Sequence, residues 1–246
     1  MSIAVIPSRF GSKRFHGKPL AMIAGKPLIQ RVYEQACRAR SIERVVVATD
    51  DDRIRMQVER FGGEVVMTSA NLRSGTDRVA ETTHLLNIGP EEIIINIQGD
   101  QPWFNGDCLD QLIAPFYEDP ELFMSTLAIK LDDAAAALDP GNVKVIFDKN
   151  GFALYFSRAR IPFHRDKDGS ADTYKHLGFY AYKKDFLDCI TRLPLSVLES
   201  AEKLEQLRVL EYGYRIKVVI TEHDAPSVDC PEDLLVIEKK IQAKQL

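Results

Sequence analysis

The sequence predicts an α/β fold: a mostly parallel central sheet flanked by helices, with a smaller antiparallel lobe. Three observations predict it. Short β-rich runs alternate with amphipathic stretches, two of those runs are apolar at consecutive positions, and beyond Met124 the pattern changes to strands separated by turns. The alternation pairs residues 3–6 with 28–39, 44–49 with 52–61, 64–67 with 76–86, and 92–98 with 107–117, each pair a strand followed by a helix. Val45-Val46-Val47 and Ile93-Ile94-Ile95 are uninterrupted apolar runs, as expected of central strands covered by helices on both faces. Further strands are expected over 125–130, 143–147, 153–157 and 177–182, set off by turns such as Asp139-Pro140-Gly141-Asn142 and Lys149-Asn150-Gly151, and another over 216–220. The four strands over 125–182 should form the antiparallel additions of a second lobe.

Composition bounds the function. The chain has 246 residues, 45% hydrophobic and 28% charged, which excludes a collagen-like or globally disordered chain and suits one enzyme-sized unit. Lys plus Arg number 32 against 36 Asp plus Glu, a net charge of −4, so a general binder of nucleic acid or anionic membrane is not expected. Any bound phosphate must meet a local cationic pocket. Cys37, Cys108, Cys189 and Cys230 lie far apart with no C-x-x-C pair, arguing against a zinc site or a disulfide framework and for reduced thiols. The apolar stretch at the N-terminus is too short for a signal peptide, and no run of about 18 apolar residues follows, so a soluble, cytoplasmic protein is expected.

The first strand runs into Arg9-Phe10-Gly11-Ser12-Lys13-Arg14-Phe15-His16-Gly17-Lys18-Pro19. Cations and glycines directly after a strand suit enclosure of a triphosphate by guanidinium and backbone N–H groups; the alternative is an exposed basic turn. The spacing is neither a P-loop nor a dinucleotide fingerprint, which disfavours a kinase or a dehydrogenase. Asn96-Ile97-Gln98-Gly99-Asp100-Gln101 places Asp100 at the carboxyl end of a buried strand, where open α/β sheets bind ligands and where a carboxylate can hold Mg²⁺ against phosphate oxygens. Asp229 precedes a helix that Pro231 would begin, so it reads as a cap, or as a metal partner for Asp100.

Other residues leave two readings open. Alternation over 153–158 puts Arg158 on the face of Leu154 and Phe156, where it needs an anion, either a structural carboxylate or that of an acidic substrate. His176 shares a strand face with Tyr174, Gly178 and Tyr180, away from Leu177, Phe179 and Ala181, and a lone histidine is usually structural. Helical spacing over 202–210 buries Leu204, Leu207 and Leu210, puts Glu202 and Gln206 on another face, and lets Glu205 pair with Arg208. The polar segment 68–78, with Ser74, Gly75 and Arg78, is either an N-cap with its loop or a recognition element for base or ribose. Residues 165–170 form either a mobile loop or a plain surface connection.

These segments resemble the 3-deoxy-manno-octulosonate cytidylyltransferases, or CMP-KDO synthetases, over nearly the whole chain from Ile6 to Leu234. The resemblance is carried, in order, by P-S-R-F-G-S-K-R-F-H-G-K-P-L from Pro7, V-A-T-D-D from Val47, S-G-T-D-R from Ser74, N-I-Q-G-D-Q-P from Asn96, A-L-Y-F-S-R from Ala153, H-L-G-F-Y-A-Y from His176, L-E-Q-L-R from Leu204 and V-D-C-P-E-D-L from Val228. It implies a nucleotide-diphospho-sugar transferase-like single domain over 1–246, with a nucleotide-binding part at about 1–122 and a sugar-binding and dimerisation part at about 123–246. The implied reaction moves CMP from CTP to the anomeric hydroxyl of 3-deoxy-D-manno-octulosonate (KDO), releases pyrophosphate and serves lipopolysaccharide assembly. It also implies a homodimer. By matched motif, Arg9, Ser12, Arg14 and Lys18 would embrace the triphosphate, with Ser74, Gly75, Arg78 and Gln98 around cytidine. Asp100 and Asp229 would carry Mg²⁺, while Arg158, His176, Glu205 and Gln206 would meet the sugar acid; Arg9, Lys18, Asp100 and Asp229 would be the catalytic set.

Four departures from the family pattern stand out. His16 replaces a usual Pro and should loosen the turn beside Lys18, Cys230 replaces a usual Thr, Gln101 replaces a frequent Glu, and the loop before Tyr174 is shorter than in many members. The last two bear on sugar choice, since a subset of the family acts on the 8-amino-8-deoxy analogue. A sialic acid cytidylyltransferase commonly has K-N where this chain has Lys18-Pro19, and a non-catalytic nucleotide-binding regulator would need neither Asp100 nor Asp229.

Overall fold

A computed structural model describes residues 1–11, 15–165 and 171–244 of the chain. They form two compact units, one comprising Met1–Asp110 with Ala225–Leu246, the other Gln111–Asp224. The first unit thus draws on both an N-terminal and a C-terminal stretch of the sequence.

In the first unit, β1 (Ser2–Ser8), β4 (Arg44–Thr49), β5 (Glu64–Met67) and β6 (Ile93–Asn96) form parallel ladders in the order β6-β1-β4-β5. Ile3, Ala4, Val5 and Ile6 are all fully buried, as are Val46, Val47 and Ala48 on β4 and Ile94 and Ile95 on β6. Burial at consecutive positions means both sheet faces are covered, as the apolar runs required. The cover comes from α1 (Leu28–Ala36), α2 (Asp52–Arg60) and α3 (Gly75–Leu85), whose inward residues include Leu28, Val32, Ile54, Val58 and Val79, while α9 (Pro231–Lys244) packs beside Met22–Ile23. Asp51 and Ser74 cap α2 and α3 by accepting the backbone N–H groups of Arg53 and Asp77. A short hairpin of β2 (Met22–Ile23) and β3 (Lys26–Pro27) precedes α1.

The second unit begins inside α4 (Asp107–Glu118). Its sheet has β10 (Thr173–Lys183) antiparallel to both β7 (Met124–Leu131) and β8 (Lys144–Phe147), with β9 (Ala153–Ser157) antiparallel to β8. Here β11 (Lys217–Ile220) runs parallel to β7, so this unit's sheet is mixed. Helices α5 (Ala134–Leu138), α6 (Lys184–Arg192), α7 (Val197–Glu202) and α8 (Gln206–Glu211) complete it. The helix read through 202–210 is two helices, because Lys203 ends α7 in the left-handed conformation at φ 55°. No helix among the described residues is long and apolar enough to cross a membrane.

Candidate functional site

Arg9 lies just past β1, half-buried, its Nη2 donating to the carbonyls of Leu72 and Ser74. Two loops at the carboxyl edge of the parallel strands are thereby tied together. The basic segment after Arg9 closes on itself. Gly17 N donates to Phe10 O at 3.0 Å, and Gly17 adopts φ +71° against the Phe10 ring, where an added Cβ would lie 3.1 Å from Cζ. Arg53, paired with Asp51, lies over the Phe10 ring with its Cζ 3.3 Å from the centroid, and the His16 ring meets Phe10 edge-on at 4.7 Å. The turn beside Lys18 is thus closed, with His16 packed on Phe10. Ser12 and Arg14, expected on the triphosphate, lie outside the described residues, and Gly11 has open space around it.

Lys18 is mostly buried, and its ammonium reaches Asp100 Oδ2 at 2.8 Å and the Val228 carbonyl at 2.9 Å. The main chain joins the same two segments directly, Val228 N donating to Asp100 O at 2.8 Å. Residue 229 is therefore brought beside the Q-G-D turn across 129 positions of sequence (229 − 100). Gly99 makes the turn possible, because a Cβ there would lie 2.8 Å from the Pro7 carbonyl oxygen. Asp233, on the first turn of α9, accepts from Asp229 N at 2.7 Å and Cys230 N at 2.9 Å. Desolvation raises its pKa, but those N–H groups, the Cys230 thiol and the Lys18 charge outweigh it and hold the carboxyl below its usual value. Sequence reasoning missed Asp233; an acid three residues after Cys230 at a helix start was the available signal.

The donor set suits a hard divalent ion. The Val228–Asp100 backbone bond brings residue 229 beside the Asp100 turn. By donor type two such acids fit Mg²⁺, which takes one or two carboxylates and completes its shell with water and substrate phosphates.

The residues expected around cytidine divide. The Ser74 hydroxyl accepts the Asp77 N–H, so it serves the cap, with exposed Gly75 beside it. Arg78 is fully buried, bonded to the Thr68 hydroxyl and 3.2 Å from Asp50 Oδ2. Burial lowers its pKa; Asp50 opposes that shift and Arg9 adds to it. Its guanidinium braces the ends of β4 and β5, a role the sequence did not reveal. Gln98 is half-buried beyond β6, its carbonyl accepting from Gln101 N. The Gln101 side chain is buried and donates to Ala225 O at 3.0 Å.

Within the second unit, Arg158 lies one residue past β9. Its backbone N–H donates to Glu202 Oε2 at 2.9 Å, its Nε to the Glu202 carbonyl at 2.8 Å and its Nη1 to the Pro140 carbonyl at 3.1 Å. The Glu202 carboxylate thus holds the Arg158 backbone, while the guanidinium donates to main-chain carbonyls and forms no ion pair among the described residues. The alternation expected over 153–158 fails in part, for Leu154 is 61% exposed while Phe156 and Ser157 are both buried.

His176 is buried, as are Leu177 and Phe179, so both faces of β10 are covered here. The register with β7 shifts between His176 and Tyr180, where Gly178 takes φ +75°, yet their partners Ala128 and Thr126 share one face of β7, and the His176 and Tyr180 rings meet at 5.3 Å as the alternation expects. The Thr126 hydroxyl donates to the Phe179 carbonyl at 2.7 Å and lies 2.8 Å from His176 Nε2. Its single proton is spent on Phe179, so Nε2 must be the donor and Nδ1 the acceptor. Phe156 and Tyr180 pack around the ring, and burial pushes its pKa down to about 3, keeping it neutral. Burial, Tyr182 and the Glu205 charge raise the Tyr180 hydroxyl, which links Glu205 to the same cluster. Gln206 is 5% exposed, and its Nε2 has no hydrogen-bond partner among the described residues. Arg208 pairs bidentately with Glu199, at 2.7 and 2.6 Å.

A family model for cytidylyltransferases matches residues 3–217. A 3-deoxy-manno-octulosonate cytidylyltransferase of Desulfosudis oleivorans is 55% identical over 235 residues, covering 96% of this chain and 95% of the relative. An 8-amino-3,8-dideoxy-manno-octulosonate cytidylyltransferase of Shewanella pealeana is 50% identical over 238 residues, covering 96% and 97%. A solved CMP:2-keto-3-deoxy-manno-octonic acid synthetase complexed with CTP is 40% identical, covers 100% of this chain and 99% of its own, and superposes with a TM-score of 0.91.

Proposed function

Because this chain belongs to the cytidylyltransferase family, we propose that it transfers CMP from CTP to the anomeric hydroxyl of KDO, giving CMP-KDO and pyrophosphate. One observation carries the reading: Lys18 and the backbone of Val228 both engage Asp100, gathering a cation and the segments bearing two acids at the strand edge where α/β sheets bind nucleotides.

The proposed mechanism is in-line attack of the sugar oxygen on the α-phosphorus without a covalent enzyme intermediate. Asp100 and Asp229 would hold Mg²⁺, which when bound lowers the pKa of the attacking hydroxyl and screens phosphate charge. Arg9, Ser12, Arg14 and Lys18 would fix the triphosphate and stabilise charge on its oxygens during transfer. Ser74, Gly75, Arg78 and Gln98 would form the cytidine side, Arg78 acting by bracing and not by contact. Arg158 would grip the sugar carboxylate, with Glu205 and Gln206 toward its hydroxyls, and neutral His176 would accept a hydroxyl proton through Nδ1. A homodimer, a cytoplasmic location and a role in lipopolysaccharide assembly belong to the same proposal.

The 8-amino sugar is the second reading, supported by the 50% identical relative named for it. Pyrophosphate release with CTP and Mg²⁺ against octulosonate, its 8-amino analogue, sialic acid and no sugar separates the readings. Octulosonate is expected to be the fastest by kcat/KM; equal rates without sugar would overturn the assignment.

A further inference from the structure

We propose that Lys144 is a positioning residue for sugar binding, its buried ammonium fixing the Arg158 guanidinium in the orientation that receives the sugar acid; this rests on the role given to Arg158 above. Lys144 opens β8 and is fully buried, yet its ammonium touches no carboxylate. All three of its donors go to main-chain carbonyls: Asp139 at 2.8 Å, Asn142 at 2.5 Å and Arg158 at 2.6 Å. An apolar side chain would fill this space without desolvating a charge, so packing does not explain a lysine here.

The three carbonyls share one beneficiary. Asp139 and Asn142 bracket the turn whose Pro140 carbonyl takes Arg158 Nη1, and the third carbonyl belongs to Arg158 itself. Lys144 therefore holds both the residue bearing the guanidinium and the group that orients it. Glu202 holds the other side, taking Arg158 N and Nε and the Ser157 hydroxyl. Among the described residues Arg158 Nη2 has no protein partner, which leaves one edge of the fork for a ligand anion. Strand β8 also pairs through Lys144 with Ser157 on β9 and Lys175 on β10, and Val143 O accepts His176 N at 2.8 Å, so the same strand serves both sugar-side residues. Burial holds the Lys144 amine below the usual lysine range, partly opposed by Asp139, and Arg158 adds to the lowering.

Steady-state kinetics of full-length Lys144→Met, Arg158→Ala and the double variant test this, with thermal melting to verify folding. Lys144→Met is expected to raise KM for octulosonate about tenfold and to leave KM for CTP within about twofold. In the Arg158→Ala background it should add nothing, because the group it positions is gone. Should Lys144→Met not fold, Lys144→Gln, which keeps a donor at shorter reach, is read by the same ratio and the same cycle. Equal rises in both KM values, or additivity with Arg158→Ala, would overturn the positioning role. An unchanged octulosonate KM in Arg158→Ala alone would instead overturn the role of Arg158.

Discussion

The Lys18 ammonium lies 2.8 Å from Asp100 Oδ2 with both side chains substantially shielded, so the cation of the basic loop and the acid at the end of β6 form one electrostatic unit. Replacing Asp100 by Asn keeps the shape and removes the charge. Turnover is expected to fall at least a hundredfold, about 3 kcal/mol, as measured by pyrophosphate release at saturating CTP and Mg²⁺. Near-normal turnover would remove Asp100 from the catalytic set.

Gly99 and Gly11 should behave oppositely. A methyl at Gly99 would press on the Pro7 carbonyl, whereas Gly11 has nothing within 4 Å. Gly99→Ala is expected to destabilise the fold by about 1–3 kcal/mol and to lower activity by displacing the turn that carries Asp100. Gly11→Ala should melt as the parent does. Differential scanning calorimetry on the two variants checks both.

His176 gives stability a pH dependence of known sign. Its folded pKa is about 3 against an ordinary 6.5, so the unfolded chain binds the extra proton first. The contribution is complete above about pH 6.5 and declines as pH falls toward 3. Between pH 7.5 and 5 it amounts to about 2 kcal/mol. Urea unfolding at those two pH values should show a loss that is smaller by this amount in His176→Gln than in the parent. An equal loss in both proteins would mean the ring is protonated in the folded state.

The Glu199–Arg208 pair joins α7 to α8, with side chains only 9% and 12% exposed. Arg208→Met leaves a buried carboxylate without its partner and should cost about 3 kcal/mol in chemical denaturation. Arg73, 69% exposed in its pair with Asp77, offers the contrast: Arg73→Ala should change stability by about 0.5 kcal/mol or less.

The parallel half of the fold was legible because its signals are local. Val45–Val47 and Ile93–Ile95 announce strands buried on both faces, and the following helices repeat with their own period. Where a single residue changes the backbone, legibility ended. Gly178 takes a positive φ where the β10 register with β7 shifts, and Lys203 turns one predicted helix into two. For Arg158 the inward guanidinium was readable but its partners were not, because the Glu202 and Pro140 carbonyls that hold it are 44 and 18 residues away. Lys144 gave no signal, since a strand that starts with lysine looks solvated until its neighbours supply three carbonyls.

The first unit is assembled from the two extremes of the polypeptide, with Gln111–Asp224 inserted between them. The segments of Lys18 and Asp100 are synthesised before Gln111–Asp224, and Asp229 with the buried Ile237 and Ile241 of α9 only after it. The backbone bond between Val228 and Asp100 can therefore close only once the whole inserted unit has been made.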